Sequence, residues 1–556
     1  MSRQLIHQEN MQPMRYIIAS FLFLCSGMTL LTAQETGLPG EEVDVVKEFN
    51  ARLIETDRVR VKPQLPPLVT EIPTLDYNIS GKVLNVQYLP PKIRPLALDR
   101  VDQGQIYNGY ARLGLGFPKQ FLGEASYDFI DNEKFDIGLD ARFHTADNSD
   151  RVENQQFSRL ETLLSGTAYS DKGFAVDLRA GYDRDVVHFY GYNDLDDDFD
   201  SELSFAEDDV RQRFNLIHGG ARVYNSEPTV GGIDYHAELD VYFLEDNYAA
   251  RETGLLINIG GSKWFGEEHG VKVDLITDFT SYRDTLDQNL NNFFLVPSYQ
   301  YHSDRFRVNV GVRVASHEDD FFFLPNIEGS FNVIENLLTA FVGVDGSIYK
   351  NNFRNLTEFN PFLGSRNIVE NSYVNKYYGG IKGEFLGMDY RAQVAYEDVD
   401  NLALFLSDRD SIPRFDVLYD TANVFTLSGE IIFPLLTNLE LGGNVAYRIY
   451  DLQNQDKPWH LPSLTITGSA QYTMLDGDLK LHADVFLENG VPVRNEDGSS
   501  KNLNALFDLS AGGEYFFTDQ ISAFVQVNNL ANNRRQRWRH YPVLGINGVA
   551  GVTARF

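Results

Sequence analysis

The chain of 556 residues holds one cysteine, Cys25, and three tryptophans. A lone cysteine so close to the start excludes a disulfide framework and any thiolate metal site in the rest of the chain. Positive charge is scarce: 48 Lys and Arg stand against 79 Asp and Glu, giving a formal net charge of −31 and a pI of about 4.7. That balance argues against a nucleic-acid partner and against a basic face for anionic lipid. After residue 31, no segment reaches the eighteen or so continuous apolar residues of a spanning helix, and the mean hydropathy is −0.29. No Gly-rich phosphate loop or zinc-type spacing is present. His236 and His482 have no adjacent nucleophile. The chain is therefore read as a non-enzyme that needs no cofactor.

What is there begins with an export signal. Residues 1–15 are polar and weakly basic, with Arg3 and Arg15; residues 16–31 are apolar; Thr32-Ala33-Gln34 offers a small residue for cleavage. This order predicts a signal peptide over 1–33, too short for a comfortable anchor. Leu22 precedes Cys25 as in a lipoprotein signal, but Leu24 is too large for the small residue that lipidation wants. Residues 34–105 are rich in proline, notably at 62–67 and 89–95. Such a stretch favours extended backbone without a core of its own, so a periplasmic tether or a strap in a barrel mouth is expected. Only residues 43–53 look like an amphipathic helix.

From residue 106 onward the apolar residues alternate. Phe135, Ile137, Leu139, Ala141 and Phe143 form one face, with Asp136, Asp140, Arg142 and His144 on the other. The same pattern returns at 233–243, 306–314, 479–488 and 505–515. Period two over about ten residues is the length a tilted strand needs to cross hydrocarbon, whereas strands of soluble sandwiches are shorter. Aromatics gather near segment ends (Tyr107, Phe117, Tyr127, Tyr169, Phe433, Tyr447, Tyr472, Phe516), as in an interfacial girdle. Connections alternate between short ones, such as 170–173 and 386–388, and long ones: 145–156, 185–210, 350–374, 397–414, 488–504 and 529–545. Only Pro118-Lys119 reads as unexpectedly short for an outer loop. The expectation is an all-β chain: a closed antiparallel transmembrane barrel of about 22 strands over 106–556, with short turns in the periplasm.

The C-terminus adds a pattern. Residues 522–533 (SAFVQVNNLANN), then Trp538, Tyr541-Pro542 and Gly545, and a last strand closing on Phe556, resemble the end of TonB-dependent receptors. The close match covers about the last forty residues. The resemblance implies a receptor barrel whose terminal Phe556 is read by the outer-membrane assembly machinery. It also implies a plug domain of well over a hundred residues, and 34–105 is too short and too proline-rich for one. Glu42-Val43-Asp44-Val45-Val46 resembles a TonB box, so a TonB-type energiser is one implied partner, with a plain mature N-terminus as the alternative.

Two loops carry candidate sites. Asp196, Asp198 and Asp200 sit in an acidic stretch (194–209) whose oxygens suit a hard cation, although Ser201 stands where glycine is expected and a solvated loop is the favoured reading. Arg534, Arg535, Arg537 and Arg539, with His540, make a basic cluster in an acidic chain, suited to lipopolysaccharide phosphates or another anion, or simply to loop charge balance. Arg112, Arg142, Arg307, Arg313, Asp136, Asp140, Glu238 and Asp484 fall on the lumen parity. Apolar residues at Phe353, Phe359, Phe362, Leu402, Leu404, Phe405 and Leu406 mark two loops that either fill the lumen or form a docking surface. A wide barrel must be filled by loops, by the strap or by a partner protein. The expected function is outer-membrane transport through a plugless receptor-like barrel; the alternative is a structural barrel docking other envelope proteins.

Overall fold

The computed structural model describes residues 107–194, 203–317, 320–364, 367–408, 412–495 and 497–556; the export signal, the proline-rich segment, the residue 42–46 motif and Asp196, Asp198 and Asp200 lie outside them. Twenty-two strands form one closed antiparallel sheet, each paired with its neighbours in the chain. The last, Asn547–Arg555, returns to the first, Gly109–Phe117, in a register running from Tyr110 opposite Arg555 to Phe117 opposite Gly548. Closure leaves no edge to pair wrongly. At this seam the backbones approach closely: a Cβ on Gly551 would lie 1.9 Å from the carbonyl oxygen of Leu113. Below it, Gly109 and Phe556 exchange both backbone hydrogen bonds at 3.0 Å, and the Phe556 ring stacks on Tyr127 with centroids 5.7 Å apart.

The alternation read from the sequence is the alternation of the wall. Leu113, Leu115 and Phe117 face outward, while Arg112, just before them on the opposite parity, turns inward, 4.0 Å from Glu514. Apolar surface this continuous around a closed ring is a lipid-facing surface, and the chain is a transmembrane barrel of the outer-membrane type. Phe117 and Tyr169 stand exposed at strand ends, and exposed Tyr127 lies opposite Gly109 at the start of the first strand, as a girdle requires. Two of the expected girdle residues do not. Phe516 lies between outward Tyr515 and Phe517, so parity turns it inward, under Lys480 and Arg555 at 5.2 and 4.7 Å; Tyr107 lines the same inner hollow.

Three further expectations need correction. Pro118-Lys119 is not alone in being short: the outer connections at 247–250 and 284–286 are as tight as the inner turns. At the first, Asp246 Oδ1 accepts from Tyr248 N and Ala250 N, closing the turn locally. Residues 397–414 are mostly not a loop. Strands Met388–Ser407 and Phe415–Leu436 run 20 and 22 residues, far beyond the ~10 that cross a bilayer, so this hairpin projects past the membrane and only 408–414 connect it. Finally, the connection 352–369 contains a helix, Phe353–Phe359, of seven residues.

Candidate functional site

The end of the barrel that carries the long connections is the outer end by the usual asymmetry of this class. Its connections fold inward on one another. Phe189 and Tyr192, Val210 and Phe214, Leu244 and Ala250, Tyr282 and Leu290, Phe353, Leu356, Phe362, Leu363 and Val369, Phe405 and Phe415, Trp538 and Tyr541 form one buried apolar cluster. They come from around the connections after strands five, six in its first residues, seven, nine, thirteen, fifteen and twenty-one, so the cluster draws on most of the circumference.

The centre of this lid is aromatic. Phe362 stacks on Tyr541 with ring centroids 3.8 Å apart, and Tyr190 meets both edge-on at 5.8 and 5.1 Å. The Tyr541 hydroxyl donates to the Pro413 carbonyl, joining the last connection to the projecting hairpin. Burial raises the Tyr190 hydroxyl to about 12 and holds that of Tyr541 well above its ordinary value, so both stay protonated donors. Edge and offset aromatic contacts add about 0.5–1.5 kcal/mol each to the burial itself.

The helix Phe353–Phe359 is held at its start. Asn352 caps it, accepting from Asn355 N at 3.1 Å. Beneath the cap lies Glu252, 1% exposed, at the outer end of the strand Arg251–Phe265. Its carboxylate accepts from Phe353 N (2.6 Å), Arg354 N (3.2 Å), Asn352 Nδ2 (2.9 Å) and the Tyr242 hydroxyl (2.8 Å). Free amides at a helix start attract an anion, and here the barrel wall supplies it.

On the other side of the lid, His460 is buried against Trp538 and Phe415, at 5.5 and 4.9 Å between ring centres. Its Nδ1 lies 2.7 Å from the Phe405 carbonyl, which fits an Nδ1–H donor. Burial, with the charges of Arg537, Arg539 and His540, lowers its pKa to about 3, so the ring is neutral. Arg537 packs beside it, donating to the His460 carbonyl (3.1 Å) and pairing with Glu488 (2.9 Å) while lying over Trp538.

The basic cluster therefore divides. Arg537 turns into the lid, and burial lowers its pKa. Arg534, Arg535 and Arg539 line a separate hollow with Lys501 and His540. Of the apolar residues expected to fill the lumen or dock a partner, Phe353, Phe362, Leu404 and Phe405 are buried and Leu402 and Leu406 partly so; Phe359 is half exposed, yet stacks on Phe405 at 5.2 Å. Sequence reasoning missed Glu252, His460 and Tyr190. The first two gave no local pattern, and Tyr190 sat among loop aromatics.

Below the lid the lumen wall is polar and of mixed sign. Arg142 pairs with Glu124 (3.3 Å), Arg313 with Asp345 (3.7 Å), Arg179 with Glu238 and Asp240 (2.8 and 2.5 Å) and Lys350 with Asp278 (2.6 Å). Arg307, Lys382 and Arg391 share a hollow of about 750 Å³ with Glu328, Glu384 and Glu430 near the short-turn end. Asp140 and Asp484 line two further inner hollows.

No family model matches the sequence, and no curated protein matches it. Solved structures do match the fold. The ferric-catecholate import receptor Fiu from E. coli aligns with a TM-score of 0.64 and 10% identity, covering 81% of this chain and 82% of that one. The FrpB iron transporter from Neisseria meningitidis aligns at 0.64 and 9% identity, covering 82% of each. The pyoverdine outer membrane receptor FpvA from Pseudomonas aeruginosa, bound to pyoverdine, aligns at 0.61 and 11% identity, covering 81% and 78%. At such low identity the likeness is one of fold, and what this chain shares with these outer-membrane receptors is the closed 22-stranded barrel.

Proposed function

We propose that this barrel is an outer-membrane transport protein whose outer mouth is gated by its own connections, without a full plug domain. One observation carries the reading: an apolar lid drawn from most of the circumference lies over a polar, mixed-charge lumen. A purely structural barrel needs no polar path, and an unfilled 22-stranded lumen would leak. The neighbours in fold include an import receptor and an iron transporter, which supports transport as the class. The solute is a polar one that leaves the paired wall charges intact. A TonB-type energiser or a plugging partner would act with the barrel on this reading.

The docking alternative drew on apolar loop residues exposed for a partner. Burial of Phe353, Phe362 and Phe405 within the lid, and of Leu404 next to Phe405 in the chain, weakens that basis. The test is conductance of the full chain in planar bilayers after gentle purification. Low basal conductance that rises when the lid is loosened by Phe362→Ala with Tyr541→Ala, and that then responds to added solute, supports gated transport. A barrel that stays closed in both forms and purifies in a stable multi-protein complex overturns it.

A further inference from the structure

The hollow lined by Lys501, Arg534, Arg535, Arg539 and His540 borders the lid, and its chemistry differs from the rest of the molecule. We infer that it is a binding site for phosphate groups, borne by the headgroup of an outer-leaflet glycolipid or by a soluble phosphorylated solute.

Charge sets the hollow apart. The chain carries a net −31, so its average field repels anions. Within this one hollow of about 390 Å³, Lys501, Arg534 and Arg535 stand together beside Arg539 and His540, which are already engaged, and no carboxylate is among the described residues that line it. The volume falls within the roughly 300–1,000 Å³ of small-molecule sites. Asn502 and Gln536 add neutral polar groups to the wall. Guanidinium forks match phosphate oxygens two at a time, which a point charge does not.

The frame around the hollow is also built. Asn529, 2% exposed, bridges the base of the connection through Nδ2 to the carbonyls of Asn533 (2.7 Å) and Leu544 (2.8 Å), and its Oδ1 accepts from Asn533 N (2.8 Å). Asn533 Oδ1 in turn accepts from Arg535 N at 3.0 Å. Arg534 lies across Gly545, where a Cβ would stand 2.7 Å from Arg534 Nε, beside Asn532 Oδ1. Arg539 is anchored from behind by donating to the Arg494 carbonyl. The cations are thus set on a clamped loop before any ligand arrives, which lowers the ordering cost of binding. Arg537, inside the same run, faces away to Glu488, so the cluster is sorted by side rather than merely basic.

The test uses the full chain in detergent. Pyrophosphate is titrated calorimetrically, and binding to micelles of bis-phosphorylated lipid A is compared with binding to its dephosphorylated form. Arg534→Gln with Arg535→Gln is expected to weaken binding by on the order of 100-fold, since charge-assisted bonds are lost at two positions. Arg283→Gln, an exposed cation on another outer turn, is expected to leave it unchanged. Arg534→Lys with Arg535→Lys, which keeps the charge, should recover part of the loss, separating ligand contact from loop damage. Binding of free pyrophosphate identifies a soluble ligand; binding only to phosphorylated lipid A identifies the glycolipid. The inference is overturned if neither probe binds, or if the glutamine pair and the Arg283 control behave alike.

Discussion

The guanidinium carbon of Arg414 lies 4.6 Å from the centre of the Phe189 ring, and these two residues belong to connections that leave the wall after its fifteenth and fifth strands. Strands so far apart in a ring of twenty-two lie on nearly opposite sides, so this contact reaches across the mouth. Arg414 also covers Tyr248, at 4.8 Å. Removing it by Arg414→Ala is expected to cost about 1–2 kcal/mol of lid stability, as for a largely desolvated cation–π pair. Phe362→Ala should cost about 3–5 kcal/mol. Both should raise proteolysis at 352–369 and single-channel conductance, while the barrel keeps its heat-modifiable mobility on gels.

Glu252 is expected to be the peg that holds the lid helix. Glu252→Ala leaves the amides of Phe353 and Arg354 without their acceptor, at about 1–3 kcal/mol for each group that stays buried. Glu252→Gln keeps the shape but points an NH₂ at donors, and should do little better. Hydrogen exchange of the 352–360 amides is the measurement; exchange as slow as in the parent protein would remove Glu252 from this role.

The lid should weaken in acid. The His460 pKa is depressed to about 3 in the folded state, from an ordinary 6.5. Between those values the opened lid takes up a proton that the closed lid refuses. Closure is therefore at full strength above pH 6.5 and declines as pH falls, by up to about 1.4 kcal/mol per unit. Arg537, Arg539 and His540 nearby oppose the protonated ring further. Protection of the His460 amide, which donates to the Pro492 carbonyl at 3.0 Å, should fall from pH 7.5 to pH 5 after correction for intrinsic exchange. His460→Phe should flatten that dependence.

How much of this could be read from residues alone follows from where the lipid is. Inside the bilayer each strand has one face in hydrocarbon and one in water, so Phe135–Asp147 and Leu479–Glu488 announce themselves by period two. Above the bilayer that contrast vanishes. Leu402, Ala403, Leu404, Phe405 and Leu406 are apolar on both faces because neighbours cover both, and a strand reads as a loop. The bulge between Val399 and Leu402, with Asn401 in left-handed backbone, also breaks the phase there. The helix Phe353–Phe359 is too short for any period to show, and Glu252 lies about a hundred residues from the amides it accepts from. Apolar content flagged both loops as unusual; nothing local said that they meet each other.

The wall assignment can be tested in the strand Leu479–Glu488. Leu481 and Val485 face outward, while Asp484 lines an inner hollow. Lysine at either of the first two should cost about 2–4 kcal/mol near the midplane and reduce assembled barrel, whereas Asp484→Lys should assemble normally. Equal yields of all three would reverse the assignment.

Deleting Phe556 removes the residue whose backbone locks onto Gly109 and whose ring stacks on Tyr127. Assembly should slow, with more protease-sensitive precursor in pulse-chase fractions, because the last strand is the closing partner of the first and would, on the resemblance, carry the residue that the assembly machinery reads. Phe556→Tyr keeps the ring and should assemble close to normally. Undiminished assembly of the deletion would leave Phe556 without that role.

The lid is made of separate petals, each rooted by two adjacent strands in a wall that has no free edge. A plug that is one body can leave as one body, and the pore it vacates is then either shut or open. Petals cannot leave; each can only lean outward on its own pair of roots, taking its share of the aromatic centre with it. If the barrel transports as proposed, an aperture of this kind widens by degrees, and the order in which petals yield would set which solutes pass at each width.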